Sequence, residues 1–322
     1  MHWLDRLAGT FTARTILYDR VFSDGWGDAA RLRDLRAEAG VIAPIPAIDI
    51  EWRSAGAAGT MKIIDGSFVS PMADLLPPAS RVAALRKVVP NFEPAGVCLI
   101  MAAFNDHGYK TRMQLARRLA RLGIASILHE NPFYGNRRPG PGQPLRTVVD
   151  FYTMGAAAVL EGRAILNDLH GQEGPQPGVA GYSMGGNIAA LISATVPFPV
   201  ATAGLAASHS PGPVWSEGLL SGAIAWDALG GVDLRDEIAA TLGDASALRF
   251  PPPPHAASAV LAAPRADGYI PRHAFERLHD HWPGSELRWI PGGHASVLLW
   301  RKAELAQAIV DSFERLRRDT GS

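Results

Sequence analysis

GVAGYSMGGNIAALI (Gly178–Ile192) sets a single serine, Ser183, between glycines, behind a short apolar run and ahead of a helical pattern. A G-x-S-x-G segment alone is a weak signal, because its glycines serve equally well in a plain strand-to-helix turn. Its surroundings strengthen it: PGVAGYS (177–183) has the apolar character of a buried strand, and GNIAALISATV that of a helix. A sharp turn between the two pushes a hydroxyl into the open, and bulky neighbours there clash with strand or helix. The amide of Met184 then sits at the positive end of the following helix, placed to stabilise an oxyanion.

Outward from this turn the chain alternates. Towards the N-terminus lie a strand GVCLIMAA (96–103), an amphipathic helix YKTRMQLARRLARLG, a strand IASILHE (124–130) and a long helix over 145–170. Towards the C-terminus come a strand VATAGLAAS (200–208), a strand AVLAAPRADG (259–268), the helix RHAFERLHDHW, the strand ELRWIPGG and one closing helix from SVLLW onward. Apolar strands alternating with helices predict a mostly parallel central sheet flanked by helices. Ahead of the alternation, residues 1–40 read as a helical extension. AIDIEWR (47–53) and MKIIDGSFVSP (61–71) read as a hairpin around a Gly/Ala-rich turn, and RVAALRKVV as a helical piece stopped by Pro90. Residues 211–254 break the alternation and end in FPPPP, which predicts a small helical cap with a stiff return to the sheet. At 322 residues the whole, 1–322, is read as one domain.

A nucleophilic serine needs a base, and the base needs an orienting acid. On such sheets the acid and then the histidine follow the serine. Asp267, in ADGYIP, comes directly after a strand and so falls at the carboxyl edge of the sheet; His294, in PGGHAS, follows the next strand. His273, His279 and His281 lie on a surface helix, His255 follows the proline run, and Asp227, Asp233 and Asp236 lie in the cap. His209, at a strand end in ASHSP, is assigned to the pocket, since the strand-end acid Asp267 would otherwise lack its partner. The loop after VCLIM offers the second oxyanion donor, the amide of Phe104 or of Asn105. Asp106 and His107 in that loop have no third ligand at suitable spacing, so they are read as loop braces, and no metal is expected.

Lys+Arg and Asp+Glu are equal at 31 each, which gives no electrostatic reason to expect a nucleic-acid partner. The single Cys98, inside VCLIM, excludes an intrachain disulfide and fits a reducing, cytoplasmic setting. No run of about 18 apolar residues is present. Leu4, Leu7, Phe11, Ile16, Leu17, Val21 and Phe22 form one face of an N-terminal helix, packed on the domain or, alternatively, resting peripherally on a membrane.

Several segments together resemble the α/β-hydrolase domain-containing protein 18 family: VFSDGWGD, NDHGY, ENPFYGNRRP, VVDFYTMGAAAVLEG, GYSMGGNIA and PGGHAS, spanning about residues 16 to 300. The resemblance implies an α/β-hydrolase fold with Ser183 as nucleophile and His294 as base. It also implies a hydrophobic acyl substrate, lipid esters included. The expected activity is therefore hydrolysis of a small-molecule or lipid ester through an acyl-enzyme, with no cofactor. Trp215, Leu219, Leu220, Ile224 and Trp226 form either cap core or an apolar roof for the acyl group. Tyr134 and Arg137, with Asn131, Asn136 and Arg138, lie in a loop at the carboxyl edge; its arginines either hold an anionic head group or are solvated. Two other functions use the same residues: an acyltransferase in which an alcohol or thiol replaces water, and a non-catalytic binding module on a hydrolase scaffold.

Overall fold

A computed structural model describes residues 1–7, 20–59, 61–172 and 174–321. Nine strands form one sheet: β1 (Glu51–Ala58), β2 (Met61–Val69), β3 (Val82–Val89), β4 (Gly96–Met101), β5 (Ile124–Glu130), β6 (Gln176–Tyr182), β7 (Ala201–Leu205), β8 (Val260–Pro264) and β9 (Glu286–Ile290). Their spatial order is β1-β2-β3-β5-β4-β6-β7-β8-β9. The first three pairs in this order are antiparallel, and every pair from β5 to β9 is parallel. Parallel strands share one carboxyl edge, so the loops after β4, β6, β8 and β9 open on the same side of the sheet.

The central strands earn their place by composition. GVCLIM and IASILHE are buried along their whole length, as a sheet covered on both faces requires. One face is covered by α2 (Lys110–Arg121), which buries Leu115, Ala116, Leu119 and Ala120, and by α10 (Lys302–Thr320). The other is covered by α3 (Val148–His170) and α4 (Met184–Thr195). A reciprocal cap starts α3: the Asp150 amide donates to Thr147 Oγ1, and the Thr147 amide donates to the Asp150 carboxylate.

Four sequence expectations are corrected. RVAALRKVV is strand β3, not a helix, despite its helix-forming residues. Ala83 and Leu85 bury on one face of the sheet and Val88 on the other, while Arg86 pairs directly with Asp65 across from it on β2 at 2.6 Å. The Gly/Ala-rich segment expected to form the hairpin turn belongs largely to β1, whose register shifts between Ser54 and Gly56. The closing helix divides at Arg301 (φ −109°, ψ 32°) into α9 (His294–Trp300) and α10. In the N-terminal extension only residues 3–7 and α1 (Ala29–Glu38) are helical among the described residues. Phe11, Ile16 and Leu17 of the expected apolar face lie outside the described residues.

Between β8 and β9 the chain forms α8 (Arg272–His281), and between β7 and β8 it forms α5 (Gly212–Ser216), α6 (Trp226–Leu229) and α7 (Arg235–Gly243), joined by 3-10 turns. This segment is tied to the N-terminal extension by a bridge in which Val21 donates to Ala223 O and accepts from Ala225 N. Val21, Phe22, Leu32 and Leu35 share one apolar cluster with Trp215, Leu220, Ile224 and Leu229 and with Phe151 and Tyr152 of α3. Cap and extension therefore make a single layer over the sheet edge. No helix among the described residues is long and apolar enough to cross a membrane.

Candidate active site

Ser183 joins β6 to α4 with φ 57° and ψ −120°, a conformation that non-glycine residues adopt only when the surroundings enforce it. The enforcement is visible. Ser183 N donates to Leu205 O of β7 at 2.8 Å, and Asn187, one helical turn on, donates to Ser208 O at 3.2 Å. The flanking glycines are there because nothing larger fits. A Cβ on Gly181 would lie 2.3 Å from the Gly185 carbonyl, and one on Gly185 would lie 2.5 Å from Met101 O of β4. The strain at Ser183 is thus held by three strands and the first turn of α4.

Asp267 and His294 meet at the same edge. His294 Nδ1 and Asp267 Oδ2 are 2.7 Å apart, both side chains being nearly buried. Asp267 Oδ1 accepts from the amides of Tyr269 (2.8 Å) and Ile270 (2.9 Å), so both carboxylate oxygens are engaged. With Nδ1 donating to Asp267, the lone pair of the neutral ring is on Nε2. Two tyrosine rings, those of Tyr182 and Tyr269, each lie 5.0 Å from the imidazole centroid to centroid. Tyr182, the neighbour of Ser183, also donates its hydroxyl to His294 O at 2.6 Å. This tyrosine ties the serine turn to the histidine turn; its place in GYS was the available signal, and sequence reasoning did not use it.

A cavity of about 30 Å³ opens at Ser183, lined by Phe104, Phe151, Met184, Trp215, Leu220 and Ser210 among others. Trp215 is its aromatic roof, with its ring 5.1 Å from that of Phe104 and 5.8 Å from that of Phe151. Of the two expected oxyanion residues in the loop after β4, Phe104 lines this cavity, whereas Asn105 (φ 57°) faces a different one. The loop is braced from beneath: Asp106 pairs with Arg112 at 2.7 Å, and His107 Nδ1 accepts from Gly135 N at 3.0 Å. Beyond Met184 lies a larger chamber of about 190 Å³ between α1, α3, α4 and the cap. Phe151, Met184, Asn187 and Pro211 line both spaces. Phe151 and the α1 residues Leu35 and Ala39 had no site signature in the sequence; helical periodicity marks them only as apolar.

Three residues expected to contact substrate are placed elsewhere. Arg137 is 1% exposed and spends its guanidinium on Glu161, at 2.6 and 2.8 Å, and on the carbonyls of Ser80 and Glu130. Burial alone would raise the Glu161 carboxyl, but the charge and hydrogen bonds of Arg137, helped by His129, hold it at about 2. Tyr134 is fully buried, its ring 4.8 Å from that of His107. His209 is buried with Nδ1 3.3 Å from Ser246 Oγ, and burial lowers it to about 4, so it is neutral near pH 7. It does not line the Ser183 cavity, although its neighbours Ser208 and Ser210 do. Cys98 is buried too, and burial pushes its thiol far up, leaving it inert.

The sheet order, the strained serine after β6 and the acid–histidine pair after β8 and β9 define an α/β-hydrolase fold. Solved esterases share it. An acetyl xylan esterase from Paenibacillus sp. R4 superposes with a TM-score of 0.59 at 14% identity, covering 90% of this chain and 97% of that one. A cold-adapted esterase from an Arctic intertidal metagenomic library gives 0.53 at 16% identity, with 82% and 99% covered. An S-formylglutathione hydrolase from Agrobacterium tumefaciens gives 0.53 at 16% identity, with 84% and 100% covered. Within this fold the chain belongs to the family of alpha/beta hydrolase domain containing 18, whose model matches residues 19–242 and 233–315.

Proposed function

We propose that this chain is a serine-dependent carboxylic-ester hydrolase whose nucleophile is Ser183. The observation that carries the reading is the Asp267–His294 bond of 2.7 Å, tied through Tyr182 to a serine held at φ 57°. In the proposed reaction Ser183 Oγ attacks the ester carbonyl while His294 Nε2 takes its proton, and Asp267 stabilises the imidazolium. The amides of Met184, in the first turn of α4, and of Phe104 hold the oxyanion. The alcohol leaves with the proton from His294, and water activated by the same ring releases the acid.

The substrate is an ester with an apolar acyl group, lipid esters included. An acyl chain bonded to Ser183 enters the aromatic cavity under Trp215, and a longer one runs past Phe151 and Met184 into the larger chamber. Labelling by a fluorophosphonate probe and hydrolysis of a nitrophenyl-ester series test the reading. Both are expected in the folded protein and both are expected to vanish in Ser183→Ala. Hydrolysis that persists unchanged in that variant refutes the assignment, and folded protein that never reacts with the probe refutes the enzyme reading.

A further inference from the structure

Asp5 is 0% exposed and lies in the N-terminal segment, far in sequence from the acid and the base. Its Oδ2 accepts from Gly268 N at 2.9 Å and from His294 N at 2.8 Å, and its Oδ1 accepts from Ala295 N at 2.9 Å. One oxygen thus joins the residue after Asp267 to His294 itself. The segment around it is fastened to the same loops. His2 N donates to Ala266 O at 3.0 Å, and Asp5 N and Arg6 N both donate to His2 O. The glycines of the two loops make room for it. A Cβ on Gly293 would lie 2.4 Å from Asp5 Oδ2 and 2.4 Å from His2 Cβ, and one on Gly268 would lie 2.9 Å from Met1. Gly293 in PGGH therefore leaves the space that the Asp5 carboxylate and the His2 Cβ occupy.

We propose that Asp5 is a positioning residue that sets the separation of the Asp267 and His294 backbones, and with it the Nδ1–Oδ2 bond. The inference rests on the reading of Ser183, His294 and Asp267 as a catalytic set. A carboxylate suits the task because it only accepts, and all three partners are donors. An asparagine turns an NH2 towards at least one of those amides. Two loops released from a shared oxygen drift apart, and a misplacement of about 1 Å in such a set costs roughly a hundredfold in rate.

The test compares full-length wild type, Asp5→Asn, Asp5→Ala and Ser183→Ala on a short nitrophenyl ester, with activity expressed per folded protein. Asp5→Asn is expected to lower kcat about a hundredfold with KM within about twofold, and to slow fluorophosphonate labelling in parallel. Formate is expected to restore part of kcat in Asp5→Ala by refilling the carboxylate site, and to do nothing for wild type. Should the Asp5 variants not fold, Gly293→Ala decides the matter, because its Cβ displaces the carboxylate while keeping the charge; it must show the same loss in kcat. Wild-type kcat in Asp5→Asn, or in Gly293→Ala where that variant decides, overturns the proposal, as does a loss that only tracks the folded fraction. Either result, alongside an inactive Ser183→Ala, leaves the hydrolase reading standing, whereas an active Ser183→Ala removes the reading itself.

Discussion

Replacing Arg137 by methionine separates two accounts of the ENPFYGNRRP loop. If the arginine holds an anionic head group, its loss raises KM for anionic esters and leaves stability alone. The structure gives the opposite expectation. Arg137 makes five hydrogen bonds, two to Glu161, two to Ser80 O and one to Glu130 O, all out of water. Arg137→Met leaves a carboxyl of 0% exposure without its main counter-charge and strips two carbonyls of a donor. Breaking a buried pair from one side typically costs about 3–5 kcal/mol. At roughly 2 °C per kcal/mol for a chain of this size, the melting temperature falls by about 6–10 °C.

The acid dependence gives a second, signed readout. Glu161 is held at about 2 against an ordinary 4.5, so its contribution to stability is full above pH 4.5 and is lost as pH falls towards 2. That difference corresponds to about 3 kcal/mol in wild type. In Arg137→Met burial prevails and the carboxyl rises, so this part of the acid sensitivity disappears; Arg137→Met/Glu161→Gln recovers part of the neutral-pH loss, because no charge is stranded. Thermal melts at pH 7 and pH 3, with KM for matched neutral and anionic nitrophenyl esters, decide it. An unchanged melting temperature with a KM penalty confined to the anionic ester refutes the buried-pair account.

Two further outcomes follow from the same geometry. Met184→Trp narrows the passage between the two cavities while keeping the backbone amide; the ratio of kcat/KM for butyrate over dodecanoate nitrophenyl esters is expected to rise at least about tenfold, and an unchanged ratio removes the larger chamber from the acyl path. His209 is lowered by burial to about 4, so it stabilises the fold above pH 6.5 and loses that effect between 6.5 and 4. His209→Gln is expected to flatten the fall of melting temperature across that window and to leave the neutral-pH profile of kcat/KM in place; a displaced activity profile would make His209 a participant in the reaction.

How much of this was readable in the chain depends on the range of each interaction. The parallel half of the sheet follows from local pattern alone, because GVCLIM is apolar from end to end, IASILHE and PGVAGY are largely so, and all three are buried throughout. Their parallel run then brings the ends of β4, β6, β8 and β9 to one edge, so residues scattered from 104 to 294 were legible as one neighbourhood. RVAALRKVV fails the same treatment. Its residues favour a helix in isolation, and what makes it a strand is the flanking pair β2 and β5, including an Asp65 that local pattern cannot assign to Arg86. Arg137 misled for a related reason: a strand-end arginine looks available until Glu161, on a helix 24 residues later, is seen to occupy it.

The reach of these contacts also explains why the supports of the site were less visible than the site. Ser183, Asp267 and His294 each sit in a short motif whose glycines and strand end can be recognised within ten residues. The groups that hold them come from everywhere else. Tyr182 fixes the His294 turn across 112 positions, and Asp5 grips it across 289 and 290. Ser183, Asp267 and His294 sit at turns directly after strands, and such turns have local signatures. A supporting group needs only to be buried at the right distance, and any part of the chain that the fold brings there serves. Gly293 belongs to both sets, since the space it leaves in PGGH is filled by the carboxylate of Asp5. The motif thus records, in one missing side chain, a contact with the opposite end of the described chain.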